Sequence, residues 1–375
     1  MREYTPTIAD KISIKPNIAV IMDRMSEILN KSNHLFRSFG GSIIISILAL
    51  VFVYVYLGWE AALVTLALMV IEVTFSFDNA IVNAKVLNTM SAFWQHIFMT
   101  IGILVAVFGM RIVFPILVVM FSAGLPWNEV LDLALNNPKE YAAAIQGAHT
   151  SIAAFGSMFL LMLALHFLFD KTRHVHWLKK IERPMQKAGH WWMPMVVSAA
   201  VLTFVTLLPA NQHPKETAIA GVVGILVYLT VSGLSAFFTK QHEKSEKLAG
   251  KKLLKTGMAG FSAFIYLEVL DASFSLDGVI GAFAVTQNVI LIAVGLGVGA
   301  VWVRSMTLYM VRHKVLHAYP FIEHGAHYTI GVLAVILLFS LFFSIPEAIA
   351  GGIGVLIIAA SIAASKKADK DIVKI

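Results

Sequence analysis

The chain has 375 residues, 58% of them hydrophobic and only 14% charged, with a mean hydropathy of +0.78; an average soluble domain carries about 25% charged residues, so a soluble protein is excluded. There is no cysteine, which rules out a disulfide framework and a thiolate metal site and argues against soft metals that want sulfur. The net charge of +7 sits in loops between apolar runs, a pattern of membrane topology rather than of a phosphate-binding face, so no nucleic-acid partner is expected.

Residues 1–40 form a charged segment ahead of the first apolar run and do not resemble a cleavable signal. Within it, 16–38 is mildly amphipathic (Ile18, Ile21, Met22, Met25, Ile28, Leu29) and is expected to lie as a helix at the membrane interface. Apolar runs such as 42–57, 97–121, 216–238 and 328–345 have the length of roughly 17 to 25 residues that crosses hydrocarbon. Ten spans are predicted, at 41–58, 60–85, 95–121, 146–169, 191–210, 216–239, 257–286, 288–311, 326–345 and 346–364. A tight turn near Gly58 joins the first two, and Ser344-Ile345-Pro346 joins the last two. The fold class is therefore an all-α polytopic membrane protein. Its expected parts are a cytoplasmic segment over 1–40, a first membrane repeat over 41–210, a second over 211–364 and a cytoplasmic tail over 365–375.

Orientation follows from Lys and Arg. With the N-terminus inside, the inner segments hold 25 of the 29, the outer segments hold Lys139 and Lys215, and Arg111 and Arg304 lie within spans. That asymmetry places both termini in the cytoplasm, with the chain as a multi-pass protein of the bacterial inner membrane. The loop charges at Glu182-Arg183-Pro184 carry no specific signal, and His174, His176 and His190 read as solvated loop residues.

The second and seventh predicted spans share a motif. Residues 71–79 read IEVTFSFDN and 270–278 read LDASFSLDG, so Glu72 matches Asp271, Ser76 matches Ser275 and Asp78 matches Asp277. Downstream, Gly102 precedes Arg111 by nine residues as Gly295 precedes Arg304, and Gly147-Ala148-His149 matches Gly325-Ala326-His327. Five spans separate each pair, an odd number. The two five-helix repeats are thus expected to be inverted relative to one another, as in many secondary transporters whose sites lie where the halves meet.

Five carboxylates fall within predicted spans: Glu72, Asp78, Glu268, Asp271 and Asp277. Each charge at mid-bilayer costs about 2.5–3.5 kcal/mol on insertion scales, so these groups must face one another, water or an ion. Arg111 and Arg304 can pair with two of them and hold helices together. The excess of acid over base then calls for a cation, and a divalent one removes two charges. Oxygens from Ser76, Asn79, Asn83, Thr74, Ser273 and Ser275 suit Mg²⁺, Ca²⁺ or Mn²⁺. Glu72 and Asp78, like Asp271 and Asp277, are six residues apart, about 240° of helical rotation. Either both helix faces point into the bundle or the helix is broken near Ser76–Asn79, and Gly278 at the equivalent point favours a local unwinding. His149 and His327, at the mouths of their spans, are further ligand candidates because Mn²⁺ accepts imidazole. Glu268 has no counterpart in the first repeat and lies one turn before Asp271, which makes it the candidate proton carrier. No Gly-rich phosphate loop, nucleophile elbow or zinc-protease motif is present, so neither an enzyme nor a permanently bound cofactor is expected.

At the two acid motifs the chain resembles the TerC/Alx family of integral membrane proteins, within the LysE-like transporter superfamily. The residues that carry the likeness are Glu72 through Asp78-Asn79, the run from Glu268 through Asp271 to Asp277-Gly278, and the helix-borne Arg111 and Arg304; it covers about 41–364. The resemblance implies export of manganese, or a role in tellurite resistance, with Glu72, Asp78, Asn79, Asp271 and Asp277 lining the ion path. The long loop at 170–190 and the extra Glu268 set the chain apart from that pattern. Export of amino acids or another small solute is the competing expectation, and a membrane scaffold for a stress-response complex a further one. The partners expected are the lipid bilayer, the metal ion and, in a homo-oligomer, further copies of the chain.

Overall fold

The computed structural model describes residues 18–249, 253–343 and 345–372. Side chains at 18–37, 122, 243–249, 275–277, 280, 284, 347–348 and 369–372 lie outside the described residues. Ser275 and Asp277, both expected at the site, are therefore placed by their backbone alone.

The described residues are almost entirely helical and contain no strand. In chain order the helices are α1 (Ile18–Phe75), α2 (Phe77–Leu87), α3 (Ala92–Leu104), a π-helical stretch (Val105–Val113), α4 (Phe114–Ala123), α5 (Trp127–Asn136), α6 (Pro138–Gly147), α7 (His149–Phe169), α8 (Lys179–Ala188), α9 (Met193–Leu207), α10 (Pro214–Ala249), α11 (Gly257–Val285), α12 (Val289–Arg312), α13 (Val315–Ala318), α14 (Ile322–Phe339) and α15 (Glu347–Ile372). Seven of these helical stretches, or eight if the bent pair α8 and α9 counts as one, are long and apolar enough to cross a membrane. The chain is an all-α, multi-pass membrane protein.

Several breaks have direct physical causes. Inside α1, Gly58 adopts φ 89° and ψ 176°, open only to a residue without Cβ, and so divides the helix where the tight turn is expected. The π-helical stretch ends just before Pro115, which lacks an N–H and crowds the carbonyl four residues back, here that of Arg111. Widening the preceding turns relieves that conflict. The unwinding expected near Gly278 is not found: α11 runs unbroken from Gly257 to Val285. In the first half the break narrows to Ser76, between α1 and α2. The backbone of 18–37 is helical and runs straight into the first apolar run; the interfacial face expected there belongs to side chains outside the described residues.

Helix α7 is the central strut. Of its apolar window 72% is buried, against 17% for Ser38–Phe75, which faces outward. It packs on α10, α14 and α9, while α1 lies along α12 and α14 against α15. Met158, Phe159 and Leu160 of α7 join Ala80, Ile81 and Ala84 of α2, Leu270 of α11 and Ile330 of α14 in one core.

Contacts gather the basic loops at one end of the bundle. Phe39 stacks on Trp302 and packs at a tilt against Tyr309. Lys85 pairs with Glu323, and the 89–91 turn exchanges backbone hydrogen bonds with Lys255. The segment after α7 bonds to His324 and Tyr328, and Ser365 accepts from the Phe321 N–H.

Candidate functional site

The site is built where α2 begins. Ser76 leaves the helical line (φ −96°, ψ 18°), and its hydroxyl donates back to Glu72 at 3.4 Å. Two residues on, Asp78 is 3% exposed and accepts the Asn79 N–H at 2.9 Å. The free N–H groups of the first turn of α2 thus set a partial positive charge beside this carboxylate, but no basic side chain pairs with it among the described residues. Beside it, the amide oxygen of Asn79 is buried with no hydrogen-bond partner among the described residues.

The other buried acids are held by arginines. Glu72 on α1 pairs with Arg111, whose second arm donates to the Ala106 carbonyl, five residues back, at 3.0 Å. That carbonyl lies in the π-helical stretch, so the widened turn positions the guanidinium. Arg304 on α12 is 1% exposed. It donates to Glu268 at 3.0 Å through each terminal nitrogen, to Asp271 at 2.7 Å and to the Phe98 carbonyl at 3.0 Å, and it stacks over the Phe98 ring at 4.1 Å. The Asn83 amide donates to Asp271 at 2.7 Å and so ties α2 to α11. The two positions matched in sequence therefore make matched pairs: Glu72 with Arg111, Asp271 with Arg304.

Two cavities meet at these residues. The larger, an open pocket with ≈ 60 Å³ of free space, lies between the α1–α2 break and helices α11, α14 and α15; its polar wall is Glu72, Thr74, Ser76, Asp78, Asn79 and Thr329. The smaller, with ≈ 10 Å³ of free space, is walled by Glu72, Ser76, Asn79, Arg111 and Asp271. Glu72, Ser76 and Asn79 are shared by both. Gly278 lines the larger pocket, which brings the α11 backbone next to Asp277 against it.

The structure thus gathers Glu72, Ser76, Asp78, Asn79, Glu268, Asp271, Arg111 and Arg304. It does not bring the two histidines there. His149 lines neither cavity, and His327 stacks on Phe167 at 3.9 Å with its Nδ1 bonded to the Glu323 carbonyl oxygen at 2.8 Å. Among the described residues no three His, Cys, Asp or Glu side chains are grouped to hold a metal ion; Asp277 lies outside that set.

Glu182 is a correction. It is fully buried, not an unremarkable loop charge, and receives the N–H groups of Trp177 (3.1 Å) and Leu178 (2.9 Å) and the Tyr328 hydroxyl. Arg173 and His324 approach it at 3.4 Å. Burial alone would raise this carboxyl, but those hydrogen bonds and nearby cations outweigh it and hold it below the usual range. His176, expected to be solvated, bonds to Gln186 at 2.8 Å. Thr329 is the pocket residue that sequence reasoning missed; no motif surrounds it.

The model of a family described as "Protein of unknown function (DUF475)" matches residues 77–371, most of the chain. The chain belongs to the DUF475 family. The DUF475 match begins at the first residue of α2, so it takes in Asp78, Asn79, Arg111, Glu268, Asp271, Asp277 and Arg304. Glu72, on the other side of the break, precedes it. No curated protein and no solved structure matches the chain.

Proposed function

We propose that this protein is a secondary transporter that carries a divalent metal cation across the membrane, with Asp78 at the centre of the path. One observation carries the reading. Four buried carboxylates with described side chains (Glu72, Asp78, Glu268, Asp271) meet two buried guanidiniums (Arg111, Arg304), which leaves two negative charges uncompensated. Two carboxylates ionised away from water are tolerated only with a cation or with protons, and one divalent ion supplies the missing charge. Asp78, the Asn79 amide oxygen, the Ser76 hydroxyl and Asp277 are the oxygens assigned to it, a set suited to hard cations. Glu268, sharing Arg304 with Asp271, is the group assigned to carry the exchanged proton. Manganese as the metal, and export as the direction, rest on the resemblance to TerC/Alx.

Ten spans in two inverted five-helix repeats form part of the same proposal. Its supports are the Gly58 break, the α9 and α11 helices in addition to the seven apolar stretches, and the matched Glu72–Arg111 and Asp271–Arg304 pairs. Every segment assigned to the cytoplasm that has described side chains makes contact at one end of the bundle, which supports an even number of crossings between successive segments. The charge-rich end supports the cytoplasmic placement of both termini in this proposal, with the inner membrane as the proposed location.

A second reading, export of a small cationic solute such as an amino acid, is favoured by the pocket itself. Ile71, Phe75, Phe274, Leu333, Val355 and Ile358 line it beside the carboxylates, a mostly apolar wall with a few polar groups that suits an organic cation with an aliphatic stem. Calorimetric titration of the purified protein with Mn²⁺, and separately with lysine, distinguishes the two. The metal reading expects Mn²⁺ binding that Asp78→Asn and Asp277→Asn each abolish; lysine binding with no Mn²⁺ heat overturns it.

A further inference from the structure

We propose that α8, with the tryptophan pair that follows it, is a docking surface for anionic phospholipid headgroups at the end of the bundle that gathers the basic loops. The first observation is direction. Helices α8 and α9 meet at a 104° bend. With α9 as the apolar span, α8 lies close to the membrane plane at the point where that span enters the bilayer.

The second observation is how α8 sorts its charges. Its only carboxylate, Glu182, is turned inward and fully buried against the α14 end. Its four cations, Lys179, Lys180, Arg183 and Lys187, are all exposed. None of the four has an ion-pair partner among the described residues. Buried Glu182 thus fastens the helix and leaves cations as the only charges on its outward face.

The third observation is the apolar company these cations keep. Leu178, which caps the helix, and Ile181 within it are exposed, and Trp191 is 87% exposed just ahead of α9. A row of lysines beside exposed aliphatic groups and tryptophan matches the layered chemistry of a bilayer surface, with headgroups meeting cations and indoles at the carbonyl level. A soluble acidic partner would satisfy the cations but not Trp191 at the mouth of a span. The occupant is therefore a lipid with a net negative headgroup, held by several lysines at once.

Native mass spectrometry of the full-length protein, equilibrated with equimolar phosphatidylglycerol and phosphatidylcholine, tests this. The unaltered protein should retain phosphatidylglycerol in preference. Each surface cation contributes about five-fold to such attraction, so Lys179→Gln with Lys180→Gln should cut the preference by at least about five-fold. Lys366→Gln with Lys367→Gln removes the same charge from the exposed end of α15 and should leave the preference within about two-fold. The proposal is overturned by equal retention of both lipids, by equal loss in both variants, or by displacement of the lipid with inorganic phosphate. All four substituted side chains are exposed, so both variants fold, and matched melting temperatures check it.

Discussion

Replacing Glu182 with Ala removes the acceptor of a buried hub and should release the α8 segment from α14. The carboxylate receives two backbone N–H groups, the Tyr328 hydroxyl, and the charges of Arg173 and His324. Breaking a buried charged pair from one side costs about 3–5 kcal/mol, and each stranded donor about 1–3 kcal/mol. The loop borders water and relaxes, so the lower figure applies, about 3 kcal/mol of local opening free energy. Glu182→Gln keeps an acceptor for the Trp177 and Leu178 amides and loses only the charge, for about 1–2 kcal/mol. Hydrogen exchange at those two amides reads the opening directly. The Ala variant should exchange about a hundred-fold faster and the Gln variant about ten-fold. The carboxyl is held low in the folded protein, so its contribution is fully present above the ordinary Glu value of about 4.3. It is lost as pH falls below that value through the depressed folded one. Exchange in the Ala variant within two-fold of wild type, or protection in the wild type unchanged by acid once intrinsic rates are corrected, refutes the hub.

Arg304→Met leaves Glu268 and Asp271 buried without their shared cation and should cost about 3–5 kcal/mol in detergent unfolding; adding Glu268→Gln should recover part of it, and no recovery argues against the coupling. Gly299→Ala places a Cβ 2.5 Å from the Glu72 Cβ, too close to be accommodated without moving α12 from α1, and should lower stability by about 1–3 kcal/mol; an unchanged melting temperature contradicts that packing. Reporter fusions at Asn137 and Ala210 should both read as periplasmic, and a cytoplasmic reading of either breaks the ten-span inverted arrangement. In proteoliposomes, Glu268→Gln should retain metal flux but flatten its dependence on pH; an unchanged pH profile removes Glu268 as the proton carrier.

Charges inside apolar runs were enough to find Glu72, Asp78, Glu268, Asp271, Arg111 and Arg304, because nothing else explains their cost in a membrane. The repeat also matched the two Glu/Asp–Arg pairs that the helices form. Other features depend on which helices touch, and a single chain read along its length does not carry that. Thr329 reaches the pocket only because α14 and α15 pack beside the α1–α2 break. His327 looked available at a span mouth but is taken up by Phe167 and its own helix. Glu182 sits among lysines in a polar loop, and its burial is visible only once Tyr328 is brought over it, 146 residues along the chain. The π-helical turn at Arg111 had a local signal, Pro115, and the unwinding inferred at Gly278 had one that misled: glycine permits a break but does not require it when flanking helix packs on both sides.

The role proposed for Asp78, buried and without a basic partner among the described residues, is to carry the cation. Its most direct test is Mn²⁺ flux into proteoliposomes of the purified full-length protein, compared with Asp78→Asn, a substitution that keeps size and removes charge. Wild-type protein should show saturable Mn²⁺ flux, and Asp78→Asn should bring it down to the rate of protein-free liposomes while the protein stays folded. Equal flux through both proteins contradicts the account.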